Sequence, residues 1–352
     1  MLLEIKALDT LFFRDGKPFS WGEETWAEGI FPPYPSSFYG ALRSLWFAEN
    51  IKEFKKANTQ DDPTKSIRIN GIFIKRENTL YFPLPLDLVK RKEEKENKIF
   101  SLNLFKNSIF IANLNKDFQF LTTTSIDKVE SPEGFIRFSN FKKYLLGNLI
   151  QEVSFLPKKE FYKSEPKIGI ARNSLTHTSE EGKLYRINMV RFKEGVSLVV
   201  DIELGGIELP KDGFKRLGAE GKIVVFKFIE RDEVRKLKEE IKEELKEQIK
   251  KTKCFKLCLL TPAIFENGYL PKETYSGLKL VGCICGKPIY VGGFDIKRKE
   301  PKTMYRAVPA GSVYYFILEQ SSTEELLERF HYKHISDYKK EEGFGLSVVG
   351  GW

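Results

Sequence analysis

The chain opens on a short apolar block, Leu2-Leu3-Glu4-Ile5-Lys6-Ala7-Leu8, which predicts a first strand within residues 1–13. A loop rich in Gly, Pro and Trp follows, from Arg14-Asp15-Gly16-Lys17-Pro18 to Ile30-Phe31-Pro32-Pro33-Tyr34-Pro35. The period then changes. Phe38, Leu42, Leu45 and Trp46 stand at i, i+4, i+7 and i+8, the spacing of one buried helix face. Ser36 or Ser37, directly after a proline, suits the N-cap of a helix over residues 36–50. Tyr39 and Arg43 lie one turn apart on a neighbouring face. Residues 67–74 and 79–82 alternate as a hairpin would, and residues 195–204 and 222–229 read as strands.

Residues 230–251 follow another rule. Val234, Leu237, Ile241, Leu245 and Ile249 recur at steps of three or four, and only Lys, Glu, Arg and Gln lie between them. This predicts an amphipathic helix and places a boundary between two domains. A second strand–loop series starts at Cys254-Phe255-Lys256-Leu257-Cys258-Leu259-Leu260, with further strands at 281–291 and 311–318. The organisation predicted is α+β. It has a first unit over 1–230, a boundary helix over 231–252 and a second unit over 253–352.

Composition narrows the function classes. Against 58 Lys and Arg stand 49 Asp and Glu, so the net charge is 58 − 49 = +9, which favours a polyanionic partner without identifying one. With 29 Phe and 14 Tyr the chain is too aromatic for a natively unfolded protein. No apolar run approaches the ~18 residues of a membrane span, and the start of the chain reads as a strand rather than a secretory signal, so no membrane association and a cytoplasmic location are expected. The four cysteines form no Cys-x-x-Cys pair and the three histidines are scattered, so no metal or cofactor is expected.

Four segments carry candidate chemistry. Gly343-Phe344-Gly345, with Gly350-Gly351 after it, could bring backbone N–H groups close to a phosphate or form a tight turn. It is neither a dinucleotide fingerprint nor a P-loop, because no helix and no Gly-Lys-Ser/Thr follow. A shorter basic glycine loop, Lys215 to Lys222 around Gly218, holds a comparable place late in the first unit. Between residues 167 and 186, Arg172, Thr176, His177, Tyr185 and Arg186 combine guanidinium, hydroxyl, imidazole and phenol groups. That mixture suits single-stranded RNA, and it equally suits an exposed hairpin with ordinary turn residues. The run leading to Lys302 and Arg306 carries five basic residues in ten, from 297 to 306, a backbone-binding surface or a solvated loop. Catalytic constellations are thin. Asp9 and Asp15 are neighbours without a visible metal context, and His177 with Tyr185 would serve as base and acid for metal-free RNA cleavage.

The ordered set of blocks resembles a known family. Leu11-Phe12-Phe13-Arg14-Asp15-Gly16-Lys17-Pro18-Phe19 and then Phe31-Pro32-Pro33-Tyr34-Pro35-Ser36-Ser37-Phe38-Tyr39-Gly40-Ala41-Leu42-Arg43 are similar to the start of the third-subunit family of the Cmr (type III-B CRISPR) effector complex. Gly169-Ile170-Ala171-Arg172, Glu181-Gly182-Lys183-Leu184-Tyr185, Gly292-Gly293-Phe294-Asp295-Ile296, residues 307–316 and Gly343-Phe344-Gly345 continue the likeness in order. The resemblance implies a RAMP-superfamily protein with two ferredoxin-like (RRM-type) domains built on antiparallel sheets, and a thumb-like insertion at about 155–192 in the first. It implies a CRISPR antiviral subunit that holds the 5′ handle of the crRNA and docks on the large polymerase-like subunit and on a backbone RAMP subunit. On that view Arg43, Arg172, Lys302 and Arg306 neutralise phosphates, N–H groups at residues 343–345 approach them, and Tyr39, His177 and Phe344 stack bases. Ser36 and Ser37 would present a helix N-terminus to a phosphate. Two departures stand out. The first glycine loop reads Gly218-Ala219-Glu220 where relatives often carry paired glycines. The helix at 36–50 lacks the histidine that processing nucleases of this superfamily often place near their first helix, which argues for binding without cleavage. A metal-independent endoribonuclease acting on repeat RNA is the alternative.

Overall fold

The structure is a computed structural model that describes residues 1–14, 26–105, 118–123, 128–149, 152–271, 277–295 and 297–352. Asp15, the partner considered for Asp9, and Ile296 lie outside the described residues.

The architecture is mixed α/β with antiparallel sheets. Its elements are β1 (Leu2–Ala7), α1 (Pro35–Glu49), β2 (Arg68–Arg76), β3 (Thr79–Pro83), β4 (Gly134–Arg137), α2 (Phe138–Leu145) and β5 (Leu156–Pro157). Then come β6 (Tyr162–Arg172), β7 (Ser179–Phe192), β8 (Val196–Glu203), β9 (Asp212–Arg216), β10 (Ile223–Ile229), α3 (Asp232–Lys238) and α4 (Glu240–Thr252). The last are β11 (Cys254–Leu259), β12 (Leu278–Ile284), β13 (Val313–Leu318), α5 (Thr323–Phe330), β14 (Lys333–His334) and β15 (Leu346–Gly350). The first sheet runs β5-β4-β3-β2-β8-β1-β10-β9, and a second runs β12-β13-β11-β15-β14.

Strand alternation sends the two faces of the first sheet to different cores. Leu3, Ile5, Ile72, Ile74, Leu198, Val200, Val224 and Phe226 meet Phe38 and Leu42 of α1. Phe73, Phe82 and Val199 join the opposite core, which continues without interruption into Phe255, Leu257, Phe316 and Val348 of the second sheet. Helix α2 lies at this seam and touches both β3 and β15. All five apolar residues expected to form the face at 230–251 are buried in the same core. The segment is two helices rather than one, however. Glu239 (φ −111°, ψ −60°) interrupts the ladder, and Lys253 in the left-handed region (φ 60°) ends α4. The helix pair is therefore part of the joint between the sheets and not a spacer.

A buried polar cluster fixes that joint. Asp87, fully buried, accepts hydrogen bonds from Tyr144 (2.9 and 2.8 Å) and from Tyr315 (2.5 Å). Lys256 Nζ is 3.7 Å from the same carboxylate and 3.5 Å from the centre of the Tyr144 ring. Burial drives the Tyr144 and Tyr315 pKa values up and the Lys256 pKa down. A buried ion pair gives little net stability over an apolar replacement, but removing one member alone costs about 3–5 kcal/mol.

Candidate nucleic-acid interface

The predicted site residues fall into two groups. The first lies where α1 meets the last loop of the chain. Pro35 has no N–H and a fixed φ, so it occupies the first helical turn and Tyr34 becomes the N-cap (φ −68°, ψ 149°) with no side-chain bond. The expectation of Ser36 or Ser37 as the cap is thereby corrected. Both lie inside α1, half-buried, and Ser37 N–H donates to Tyr34 O at 3.0 Å. Tyr39 is half-buried beside Arg43, whose guanidinium carbon is 5.4 Å from the ring centre. Arg43 is held internally. Its Nε donates to Thr64 Oγ1 (2.7 Å) and its Nη2 to Asn58 Oδ1 (2.9 Å) and Asp62 Oδ2 (2.5 Å). Burial raises the Asp62 pKa, but hydrogen bonds from Thr64 and Asn58 and the Arg43 charge outweigh it and hold the carboxyl below its ordinary value.

The glycine loop beside this helix is also internal. Gly343 N–H donates to Lys340 O (3.0 Å), Phe344 N–H to Lys339 O (3.3 Å) and Gly345 N–H to Pro262 O (2.7 Å). Phe344 is fully buried with Ile264, Val291 and Ala307. A Cβ on Gly343 would stand 2.8 Å from Ile69 Cβ and 2.9 Å from Pro35 Cβ, and its φ is +103°. These glycines allow the last loop to pack against α1. The expected phosphate contact through N–H groups at 343–345 and the stacking role of Phe344 are both corrected: the donors are already satisfied and the ring is core. Lys302 and Arg306 remain exposed nearby. Between them Tyr305, which packs on the Phe344 cluster, lies 5.3 Å from the Tyr338 ring.

The second group is on the hairpin β6–β7. Its strands pair from Tyr162↔Phe192 to Arg172↔Ser179, so ten residue steps along β6 extend roughly 30 Å. Apart from each other, the two strands contact chiefly the short strand Trp26–Glu28 and the turn Lys158–Glu160. Sequence explains the tip. Asn173 Oδ1 accepts from the N–H groups of Leu175 (2.9 Å) and Thr176 (3.1 Å), a side-chain mimic of a turn. His177 takes a positive φ of 57°, and Arg172 Nε donates to its carbonyl at 3.0 Å. Thr176 and Thr178 share a hydroxyl hydrogen bond of 2.8 Å. Arg172, Thr176 and His177 are all exposed, and among the described residues no carboxylate pairs with Arg172. Lower down, the Tyr185 ring lies across Gly169, where a Cβ would sit 2.2 Å from Tyr185 Cζ. Arg186 is half-buried opposite Ile168. Gly218 (φ +76°) packs on the Phe12 carbonyl, 2.4 Å from where its Cβ would be. Its loop meets the hairpin through the Lys167–Glu220 ion pair.

His177 and Tyr185 are not brought together. Tyr185 lies opposite Gly169, six residues along β7 from Ser179, roughly 20 Å by strand rise. Sequence reasoning also overlooked Ile168 (65% exposed), Ile170 (54%) and Leu175 (89%), an apolar edge on the same hairpin. The signal was present as isoleucines at i and i+2 with a single glycine, Gly169, between them. Among the described residues no group of three or more His, Cys, Asp or Glu is arranged to hold a metal ion. No helix there is long and apolar enough to cross a membrane.

Comparison with solved structures supplies the fold class. The chain is similar to a chain of the type III-B Cmr-beta complex bound to cognate target RNA and AMPPnP. The TM-score is 0.54 and the identity 18%, over 90% of this chain and 86% of that one. A second Cmr-beta structure, bound to cognate target RNA, gives a TM-score of 0.53 at 17% identity over the same shares. No curated protein matches the sequence. The sequence profile of the CRISPR-associated protein family Cas_Cmr3 matches residues 3–352. The chain belongs to that family, a Cmr subunit of the RAMP group.

Proposed function

We propose that this chain is a non-catalytic RNA-binding subunit of a type III-B CRISPR effector complex that holds the 5′ handle of the crRNA. In the same reading it docks the large polymerase-like subunit and a backbone RAMP subunit. Both units are read as ferredoxin-like. In the first, β10-β1-β8-β2 follow the 4-1-3-2 order with α1 after the first strand, and β9 stands where a second helix would be. In the second, β15-β11-β13-β12 follow the same order, with α5 present and no helix among the described residues between β11 and β12.

The observation that carries the RNA role is the hairpin. It presents Arg172, Thr176 and His177 on an extended ribbon whose tip is ordered by its own hydrogen bonds. An exposed guanidinium with no carboxylate partner among the described residues and an exposed imidazole are available to the phosphates and bases of a splayed single strand. The cleavage reading lacks a constellation to support it, since its candidate base and acid stand far apart along β7. Replacing residues 170–184, outside the buried Ile187, Met189 and Val190, by a two-residue turn should lower affinity for handle RNA at least tenfold while the remainder stays folded. Undiminished handle binding by the folded deletion variant would refute the assignment.

A further inference from the structure

The face of the first sheet opposite α1 is covered only in part. Over β2, β3 and β8, and at the Leu2–Ile229 end of β1 and β10, it is closed by the seam core, but from Lys6 to Leu8 of β1, over Ile223–Lys227 of β10 and over β9 it stays open. Register defines what is displayed there. Ile5, Val224 and Phe226 face α1, and Lys215 lines the narrow space beneath that helix. Alternation therefore puts their neighbours on the open side. One row reads Lys6, Val225 and Phe214, paired directly across the three strands. The next reads Leu8, Ile223 and Arg216, with Leu8 N–H 3.5 Å from Ile223 O. The third reads Glu4, Lys227 and Asp212.

Phe214 is 71% exposed, although it sits in the middle of a strand. Leu8 and Ile223 extend the apolar floor at 59% and 45%. Lys6 and Arg216 are exposed, and neither has a carboxylate partner among the described residues. Glu4 is buried and already held by Lys75 and Ser197, which leaves Asp212 as the grid's exposed acid. An aromatic ring standing on a flat sheet between two uncompensated cations matches a single nucleic-acid strand, with π-faces stacked on the ring and phosphates beside it.

We infer that the open face of β1-β10-β9 is a second RNA contact, with one base stacked on Phe214 and adjacent phosphates at Lys6 and Arg216. This deepens the RNA-binding reading and rests on it. Asp212, in the row on the other side of Phe214, would repel phosphate and so confines the backbone to the Lys6 and Arg216 side. The contact is also continuous with the hairpin. The loop joining β9 to β10 touches β6 through Lys167 and Glu220. A strand leaving the hairpin root thus reaches the platform along the surface.

The test is fluorescence anisotropy of the full chain with a labelled single-stranded handle RNA carrying a uridine-rich extension, across a salt series. Phe214→Ala should weaken binding about tenfold, the loss expected for one stacked base, and Phe214→Trp should restore it. The Lys6→Gln/Arg216→Gln pair should reduce the slope of log affinity against log salt by about 1.4. Circular dichroism and the melting temperature should stay at wild-type values, since these side chains are exposed. Wild-type affinity and slope in both variants overturn the platform, while loss on hairpin deletion would leave the broader reading standing. A wild-type chain that binds no RNA overturns both. Loss of partner-subunit capture at unchanged RNA affinity makes the face a protein interface and overturns the inference.

Discussion

The loop at residues 339–345 and the hairpin at 162–192 carry the same kinds of residue: glycine, basic side chains and aromatics. The first is folded inward. Its N–H groups bond to Lys339, Lys340 and Pro262 carbonyls, its ring is core, and the nearby Arg43 is held by Asp62. The second bonds mostly to itself and leaves Arg172, Thr176 and His177 outside. The difference is not composition but prior satisfaction. A donor already paired inside the protein offers a ligand nothing, and breaking that pair costs the desolvation of the group left behind. One region is scaffold, and the other is the exposed surface on which the proposed binding rests.

The largest expected effect breaks the scaffold. Gly343→Ala places a methyl 2.8 Å from Ile69 Cβ at a φ of +103°. Overpacking and backbone strain together should cost about 2–5 kcal/mol in denaturant unfolding, with RNA affinity of the folded fraction unchanged. If that loop were a ligand site, affinity would fall while stability held.

Acid comes next, and it separates the two regions again. His331 is buried; its Nε2 donates to Leu237 O (2.7 Å) and its Nδ1 accepts from Val349 N–H (3.3 Å). The second bond requires the neutral ring, because a protonated Nδ1 cannot accept. Burial is the main cause of a pKa lowered to about 4. In the unfolded chain the ordinary value near 6.5 applies, so the unfolded state takes up the proton first as pH falls. The stabilisation is therefore complete above about pH 6.5 and lost as pH falls through 4, by roughly 3 kcal/mol at ~1.4 kcal/mol per unit. Melting curves between pH 7 and 4 should show this slope, and His331→Gln should flatten it.

The smallest stability effect belongs to the hairpin tip. Arg172→Ala with His177→Ala should shift unfolding by no more than about 0.5 kcal/mol, as exposed substitutions usually do. The same pair should lower handle affinity several-fold. A large loss of stability there would show that the ribbon is integrated into the core and would dissolve the contrast.

Local pattern was enough for much of the fold. The β2–β3 hairpin, the strands at 196–203 and 223–229, and the five buried residues of α3 and α4 follow from period alone. So does the buried face of α1, with one change: Phe47 is buried where Leu45 and Trp46 were expected and are only half-buried. What local pattern could not carry was any fact requiring a distant partner. Asp62 meets Arg43 across 19 residues, and Gly343 meets Pro35 and Ile69 across most of the chain. The kink at Glu239 has no Gly or Pro to announce it. The exposed hairpin carrying Arg172, Thr176 and His177 was legible, because its turn chemistry is local. The terminal loop was misread at 343–345, where a glycine needed for close packing looks in sequence like a glycine needed for a phosphate.

The most direct test is photocrosslinking of the crRNA within the assembled complex, followed by mass spectrometry of the RNA-bound peptides from this chain. Crosslinks are expected within residues 167–186 and none at 343–345. Crosslinks confined to the terminal glycine loop, with the hairpin untouched, would contradict the proposed RNA role of the hairpin.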